Sequence, residues 1–379
     1  MLALAAELAP PRNAAPARPR TLIVSHLAYP HVGGVEGLVD LEIRALTDAG
    51  HEVTLLTSDG TGAGQASSPA RILRVPAWHV LERRFGVPYP LFLSPRLLWN
   101  LWRELGRTDQ LHAHGFLFQN AVLAVALAKL RGVPSILTDH GGIQKFGSPV
   151  ATKLARLAAE TVGRVSCRLA DRVVTYNARI QTDLARLGRR RDVVFLPNPV
   201  DDALFRPPTP AERAAARREL GWPPHRKVVL FVGRLIAAKG VPLLLAAADP
   251  AAFDIVFCGP GDPPPPAPGV QYLPPRPQRE LVLLYHAADC LALPAEVREG
   301  FPLVVQEAVA CGLPVVLGYD PGFEPYRNLP NLFFTDRTPA NLKAALRAAL
   351  AVTDRRAGAD FFPPLAAWVR RLYAPEGSP

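Results

Sequence analysis

Short runs rich in Val, Ile, Leu and Thr recur along the chain, each followed by a stretch whose apolar residues are spaced for a helix. The first run is Thr21–Ser25 (TLIVS), followed by a long loop and a helix over about 34–49 that Gly50 stops. Glu52–Thr57 (EVTLLT) is the next strand, and further strands are expected at Gln110–His114, Ser135–Asp139, Arg172–Tyr176 and Val193–Leu196. After a proline-rich stretch around 198–210 the same grammar restarts. Lys227–Gly233 (KVVLFVG), Asp254–Gly259 (DIVFCG), Gly269–Leu273, Asp289–Leu293 and Leu313–Leu317 read as strands. Strands that alternate with helices predict parallel sheets with crossover helices. The chain therefore reads as two Rossmann-like α/β domains, 21–199 and 200–379, behind a disordered leader at 1–20. A last helical stretch, about 364–373 (PLAAWVRRLY), lies beyond the helices the second sheet needs and is expected to cross back to the first domain.

A length of 379 residues suits two such domains, and 49% hydrophobic residues suffice for two buried sheets. The 41 prolines and 28 glycines imply many turns. The first 20 residues lack a basic start, and Glu7 and several prolines interrupt their apolar stretch, unlike a secretory signal. Apolar runs such as 121–128 and 312–318 fall short of the ~20 residues that span a bilayer. Cys167, Cys258, Cys290 and Cys311 are scattered without any C-x-x-C, so they read as buried thiols of a reducing compartment rather than a zinc site or disulfide framework. A cytoplasmic protein is expected.

Charge is uneven. Residues 1–199 carry 24 Lys and Arg against 15 Asp and Glu, the remainder 19 against 18. A basic first half can attract an anionic membrane surface, a phosphorylated acceptor or nucleic acid, although a solvated Arg-rich surface explains it equally well. Leu91–Leu105 (LFLSPRLLWNLWREL) sets Trp99 and Trp102 among leucines beside Arg96 and Arg103, which suits either an interfacial helix or one packed on the core.

The chemistry concentrates in Glu299–Pro314, EGFPLVVQEAVACGLP. Pro302 suits the first position of a helix, and Gly312 followed by Pro314 stops it, predicting a helix over about 302–311. Its N-terminus points at the loop 298–301, where free N–H groups and the helix dipole favour an anion such as a pyrophosphate. Glu299 stands in the loop before the helix and Glu307 about one and a half turns inside. One carboxylate can then face a sugar while the other accepts hydrogen bonds from ribose hydroxyls.

This Glu-x7-Glu string, between the strands DCLALP and PVVLG, resembles the retaining glycosyltransferases of family 4, which have the GT-B fold of two Rossmann-like domains facing across a cleft. Phe231–Gly240 (FVGRLIAAKG) matches the family's strand-end Gly-Arg followed by Lys-Gly, and His31–Glu36 (HVGGVE) resembles its Gly-Gly-x-Glu loop. Asp139–Gly142 within TDHGG and the HAHG run ending β-strand 110–114 carry His140 and His114 at strand ends. Pro197–Asp201, Gly259–Gly261 and His286–Asp289 add smaller matches, while Tyr176-Asn177 stands where serine is usual and Pro302 where glycine is common. The resemblance covers about residues 21–373.

The resemblance implies a C-terminal domain that holds a nucleoside diphosphate sugar and an N-terminal domain that holds the acceptor. It places Gly34, Gly233, Arg234, Lys239, Phe301, Leu303 and Glu307 against the donor, and Gly33, Gly34 and His114 on the acceptor side. His140, Glu299, Arg234 and Lys239 would serve the reacting centre, with no metal and no cofactor. The two cations, leaving a strand end where α/β sheets bind ligands, would neutralise the departing diphosphate. The acceptor would be a glycan, a glycolipid or a small molecule; nucleic acid is not expected, and the expectation of peripheral contact with an anionic membrane rests on the basic first half and on Leu91–Leu105. No D-x-D, G-x-G-x-x-G, G-x-S-x-G or H-E-x-x-H occurs, which leaves dinucleotide, hydrolase and zincin readings unsupported. A sugar-nucleotide epimerase or hydrolase of the same fold, and an inactive binding relative, remain as alternatives.

Overall fold

The computed structural model describes residues 18–29, 31, 33–59, 68–85, 89–143, 149–296, 300–355 and 358–373. Glu299 and most of the expected leader lie outside these residues.

The first half contains β1 (Arg20–Val24), α1 (Gly34–Asp48), β2 (Glu52–Ser58), β3 (Arg71–Val75), α2 (Val80–Phe85), α3 (Arg96–Leu105), β4 (Gln110–His114), α4 (Gln119–Arg131) and β5 (Ser135–Thr138). It continues with α5 (Pro149–Ala158), α6 (Arg164–Leu169), β6 (Arg172–Thr175), α7 (Ala178–Gly188) and β7 (Val194–Phe195). The second half contains α8 (Pro210–Glu219), β8 (Lys227–Val232), α9 (Val241–Ala246), β9 (Phe253–Cys258), β10 (Val270–Leu273), α10 (Gln278–Ala287) and β11 (Cys290–Leu293). There follow α11 (Leu303–Ala310), β12 (Val315–Gly318), β13 (Leu332–Thr335), α12 (Pro339–Leu350) and α13 (Leu365–Tyr373).

Each half builds one parallel sheet, ordered β3-β2-β1-β4-β5-β6-β7 and β10-β9-β8-β11-β12-β13. In both, the order reverses beside the first strand, between β1 and β4 and between β8 and β11. Loops at such a switch point leave in opposite directions and open a crevice at the carboxyl ends of the strands, where ligands bind. Local sequence explains the elements well. Thr209 and Glu212 close a reciprocal capping box on α8, and the Asn177 side chain accepts the Ile180 N–H to start α7. Gly50 and Gly312, both at positive φ, end α1 and α11.

Two edge strands escape a reading of apolar runs. In β3 exposed Arg71 and Arg74 flank half-buried Ile72 and Leu73 before buried Val75, as an outermost strand allows, and β13 follows Asn331 in the left-handed conformation. Pro302 is not the first helical residue either. It is the cap of α11, in extended conformation, and the helix starts at Leu303.

α13 returns to the first half. Trp368, Val369 and Leu372 are buried against Val39, Ile43 and Leu46 of α1 and against Ile23, Leu55, Ile136 and Val174 of the first sheet. A bridge between Val200 and Pro364 fixes where the chain turns back. The Trp-bearing α3 divides its leucines: Leu97, Leu101 and Leu105 face the core, whereas Leu98, Trp99 and Trp102 are exposed, with the Arg131 guanidinium 3.6 Å over the Trp102 ring. The four cysteines are free and buried. Among the described residues no helix is long and apolar enough to cross a membrane.

Candidate active site

At the carboxyl end of the first sheet, Asp139 holds the loop after β5. Its carboxylate accepts the Gly142 N–H at 2.6 Å, which turns the chain just beyond His140. His140 lies half-buried between two partners: its Nε2 is 2.9 Å from His114 Nδ1, and its Nδ1 is 3.0 Å from the Tyr176 hydroxyl. Burial, then the positive charge His114 and His112 would carry, hold His140 well below the usual histidine range, so the ring is neutral at pH 7. Behind it, Glu42 of α1 contacts His112, His114 and the Tyr373 hydroxyl of α13. The glycine loop before α1 is held by His31, whose Nδ1 and Nε2 each lie 2.9 Å from a carboxylate oxygen, of Glu36 and Glu82 respectively. Those two partners raise His31 to about 9 against its partial burial.

In the second half, β8 and β9 end in Gly233 and Gly259, whose φ values of 150° and 153° are open to glycine alone. A Cβ on Gly259 would lie 2.0 Å from the Gly233 carbonyl oxygen, so this close approach of two strand ends also demands glycine. Arg234 follows, exposed, and the described residues give its side chain no hydrogen bond or ion pair. Lys239 sits half-buried in the short turn Ala237–Lys239, which packs against the loop after β11: Glu296 N–H donates to the Ala238 carbonyl at 2.9 Å. The chain that carries Lys239 thus borders the loop that leads to Glu299.

The two halves touch at their strand ends. Gly300 lies where a Cβ would stand 2.5 Å from both the His140 carbonyl oxygen and a ring carbon of Tyr176. A Cβ on Gly37, in the first turn of α1, would lie 3.9 Å from Leu303 at the start of α11 and 4.0 Å from Gln278. The Tyr326 hydroxyl donates to the Tyr176 carbonyl at 2.7 Å. The structure therefore brings together the glycine loop, His140 and the N-terminus of α11 along one seam.

Three expected residues stand otherwise than their motifs implied. Glu307 points to α10, buried, where Gln278 Nε2 donates to one oxygen at 2.5 Å and the Tyr285 hydroxyl to the other at 2.8 Å. Burial, opposed by those two donors, pushes its pKa up to about 7. Phe301 is a core side chain, stacked on Tyr326 at 3.9 Å and edge-on to Phe323, so only its backbone is available to a ligand. His114 has no exposed surface and stands behind His140. By contrast, a Cβ on Gly34 would meet nothing within 4 Å, so the space beside that residue is open. Glu42, Gln278 and Tyr285 carried no motif, and His112 and Tyr176 stood in quoted strings without being named as site residues. The one available signal was the H-x-H of β4, which sets two imidazoles on the same face of a strand.

Residues 32–204 match the model of Glycosyltransferase Family 4 and residues 226–351 that of Glycosyl transferases group 1. A D-inositol 3-phosphate glycosyltransferase of Thermobispora bispora is 32% identical over 321 residues, 75% of this chain and 73% of that protein. The chain belongs to glycosyltransferase family 4. This family-4 protein is also 38% identical over 146 residues to the D-inositol 3-phosphate glycosyltransferase of Corynebacterium aurimucosum, a match spanning about a third of that relative's length (34%). Its fold is that of solved GT-B structures. Anabaena HepE in complex with UDP-glucose superposes with a TM-score of 0.68 at 17% identity, covering 93% of this chain and 98% of that one. WaaG, a glycosyltransferase involved in lipopolysaccharide biosynthesis, gives 0.65 at 16%, covering 94% and 100%.

Proposed function

We propose that this family-4 protein is a retaining glycosyltransferase that moves a sugar from a nucleoside diphosphate sugar to an acceptor hydroxyl without a metal. The observation that carries the reading is the seam itself: Gly300 packed on His140 and Tyr176, with the first turn of α1 beside that of α11. In this reading the diphosphate lies at the N-terminus of α11, whose unpaired N–H groups favour anions. Arg234 and Lys239 supply the positive charge that a bound cation gives elsewhere. The departing diphosphate takes the acceptor proton as the new bond forms on the same face of the sugar, through an oxocarbenium-like state. Glu299 orients sugar hydroxyls, and the His140 segment supports the sugar.

A thermal-shift panel of UDP, GDP, ADP and TDP with their sugars, and NAD and NADP as controls, tests the donor. UDP-glucose heads the panel because HepE is described with it. Inositol 3-phosphate heads the acceptors, since the relatives are inositol 3-phosphate glycosyltransferases and the basic first half suits a phosphorylated acceptor. Stabilisation by one nucleoside diphosphate and its sugar is expected, and none by NAD. Silence of a folded sample across the panel refutes the reading, and turnover without acceptor assigns an epimerase or hydrolase instead.

The exposed Leu98, Trp99 and Trp102 of α3, beside Arg103, favour a peripheral contact with an anionic membrane as well. Co-sedimentation with anionic liposomes at low salt, lost on Trp99→Glu, is the expected result; equal sedimentation of both proteins removes the idea.

A further inference from the structure

A line of buried polar side chains runs from α13 to the seam, and its proton positions are fixed by chemistry. His112 and His114 stand two residues apart on β4, on one face of the sheet, with ring centroids 4.2 Å apart. α1 lies over that face and sets Glu42 against both, and all three side chains are fully buried. An ionised carboxylate can only accept hydrogen bonds. His112 therefore donates from Nδ1, 2.5 Å from Glu42 Oε1, and takes the Thr138 hydroxyl at Nε2, 2.8 Å away. The Tyr373 hydroxyl donates to the same carboxylate oxygen. His114 Nε2 and Glu42 Oε2 face each other at 3.1 Å without the alignment of a hydrogen bond, and because a bare nitrogen lone pair would repel the carboxylate at that distance, this nitrogen carries its proton as well.

A neutral imidazole protonated at Nε2 has a bare Nδ1. His114 Nδ1 is thus an acceptor, and the nitrogen facing it at 2.9 Å, His140 Nε2, must donate. His140 Nδ1 is then bare in turn and accepts the Tyr176 hydroxyl at 3.0 Å. We propose that Glu42 is a positioning residue: through His114 it fixes His140 as the Nε2–H tautomer and so holds the Tyr176 phenol at the seam beneath Gly300. The tautomer of a histidine is set in this way by what its other nitrogen meets. Burial would raise Glu42, but His112 and His114 outweigh it and hold the carboxyl well below its usual range, while Tyr373 is raised well above the usual tyrosine value and keeps its proton.

The three ligating atoms of Glu42, His112 and His114 also lie within 4.8 Å of one another, close enough for a metal ion. A metal would replace the protons on which the line depends, so the two arrangements exclude each other, and the hydrogen bonds of His112 to Glu42 and Thr138 and of His140 to His114 and Tyr176 favour the protons.

The importance of Glu42 for transfer rests on the reading of the seam as the reacting centre; the tautomers do not. Long-range 15N–1H spectra of protein labelled in histidine read both. In the native protein His114 and His140 are expected as Nε2–H and His112 as Nδ1–H. Glu42→Gln adds an amide donor where only acceptors stood. It should shift His140 toward Nδ1–H and lower kcat by roughly 10- to 100-fold, the range in which partners that orient a functional histidine act. The donor KM and the donor-induced thermal shift should stay unchanged. Tyr373→Phe, which keeps the carboxylate, should keep the native tautomers and serves if Glu42→Gln does not fold. His140 found as Nδ1–H in the native protein, unaltered in Glu42→Gln, or an equivalent of transition metal in the purified protein each overturns the proposal. Native tautomers in a protein that transfers no sugar from any donor refute the transferase reading and leave the assignment of protons standing.

Discussion

At the scale of single residues, the structure separates what a motif names from what its side chain does. Glu307 is held by Gln278 and Tyr285, and its pKa is pushed up to about 7. Glu307→Ala leaves a buried phenol and an amide without their acceptor, which costs about 1–3 kcal/mol by itself. Glu307→Gln keeps one acceptor oxygen and should cost less. Urea unfolding of the two variants checks the order, and equal losses contradict it. Because the folded-state pKa is raised, the protonated form is favoured on folding, and this contribution to stability fades as pH rises from about 4.5 through 7. If ribose hydroxyls donate to this carboxylate, they favour the ionised form, so donor binding at pH 7 should release protons. Calorimetry in buffers of different ionisation enthalpy measures that release.

His31 works in the same direction by a different route. Its folded-state pKa of about 9 exceeds the ordinary 6.5, because the imidazolium gains Glu36 and Glu82. Its stabilisation is complete below 6.5 and is lost as pH rises through 9. The urea midpoint should therefore fall between these values, and His31→Gln should flatten that part of the profile. An unchanged slope in the variant assigns the fall to other groups.

At the scale of elements, two glycines make opposite predictions. Gly300 is enclosed by backbone and ring, so Gly300→Ala must push the loop after β11 away from His140 and Tyr176. Activity should drop by an order of magnitude or more, since small misplacement of reacting groups is costly, while the melting temperature changes little. Gly34 has open space beside it, so Gly34→Ala should leave stability unchanged and raise a substrate KM only if a ligand fills that space. Steady-state kinetics and thermal melts of the pair distinguish packing from ligand approach. The central strands were legible because they are buried and mostly apolar, as β1, β5, β8, β11 and β12 are. β3 was not, because exposed Arg71 and Arg74 interrupt its apolar residues, and β13 was missed although its LFFT is an apolar run.

At the scale of the whole molecule, α13 joins the end of the chain to the first sheet. Trp368, Val369 and Leu372 are buried there, and burial of each such side chain contributes about 1.5–3 kcal/mol. Ending the chain before Pro364 should lower the melting temperature of the first domain by many degrees and expose its apolar surface to a dye. A melt like that of the full chain contradicts this docking. The Tyr326 hydroxyl on the Tyr176 carbonyl is a lighter link between the halves, and its loss in Tyr326→Phe should have a smaller effect.

The sequence by itself determined the features that depend on neighbours along the chain. These are the two runs of strand and helix, the helix stops at Gly50 and Gly312, and the placing of Gly33, Gly34, His140, Gly233, Arg234 and Lys239 at strand ends or in the loops that follow them. All rest on apolar spacing and on glycine or proline, whose effects are local. Only the tertiary structure decided which way side chains turn. It sent Glu307 to Gln278 and Tyr285 and Phe301 into the core beside Tyr326. It also assembled Glu42, His112 and Tyr373, which lie 70 and 261 positions apart, into one polar line. Such a line depends on the facing of a helix, a strand and a returning terminal helix, and no local pattern encodes the distances between elements far apart in sequence.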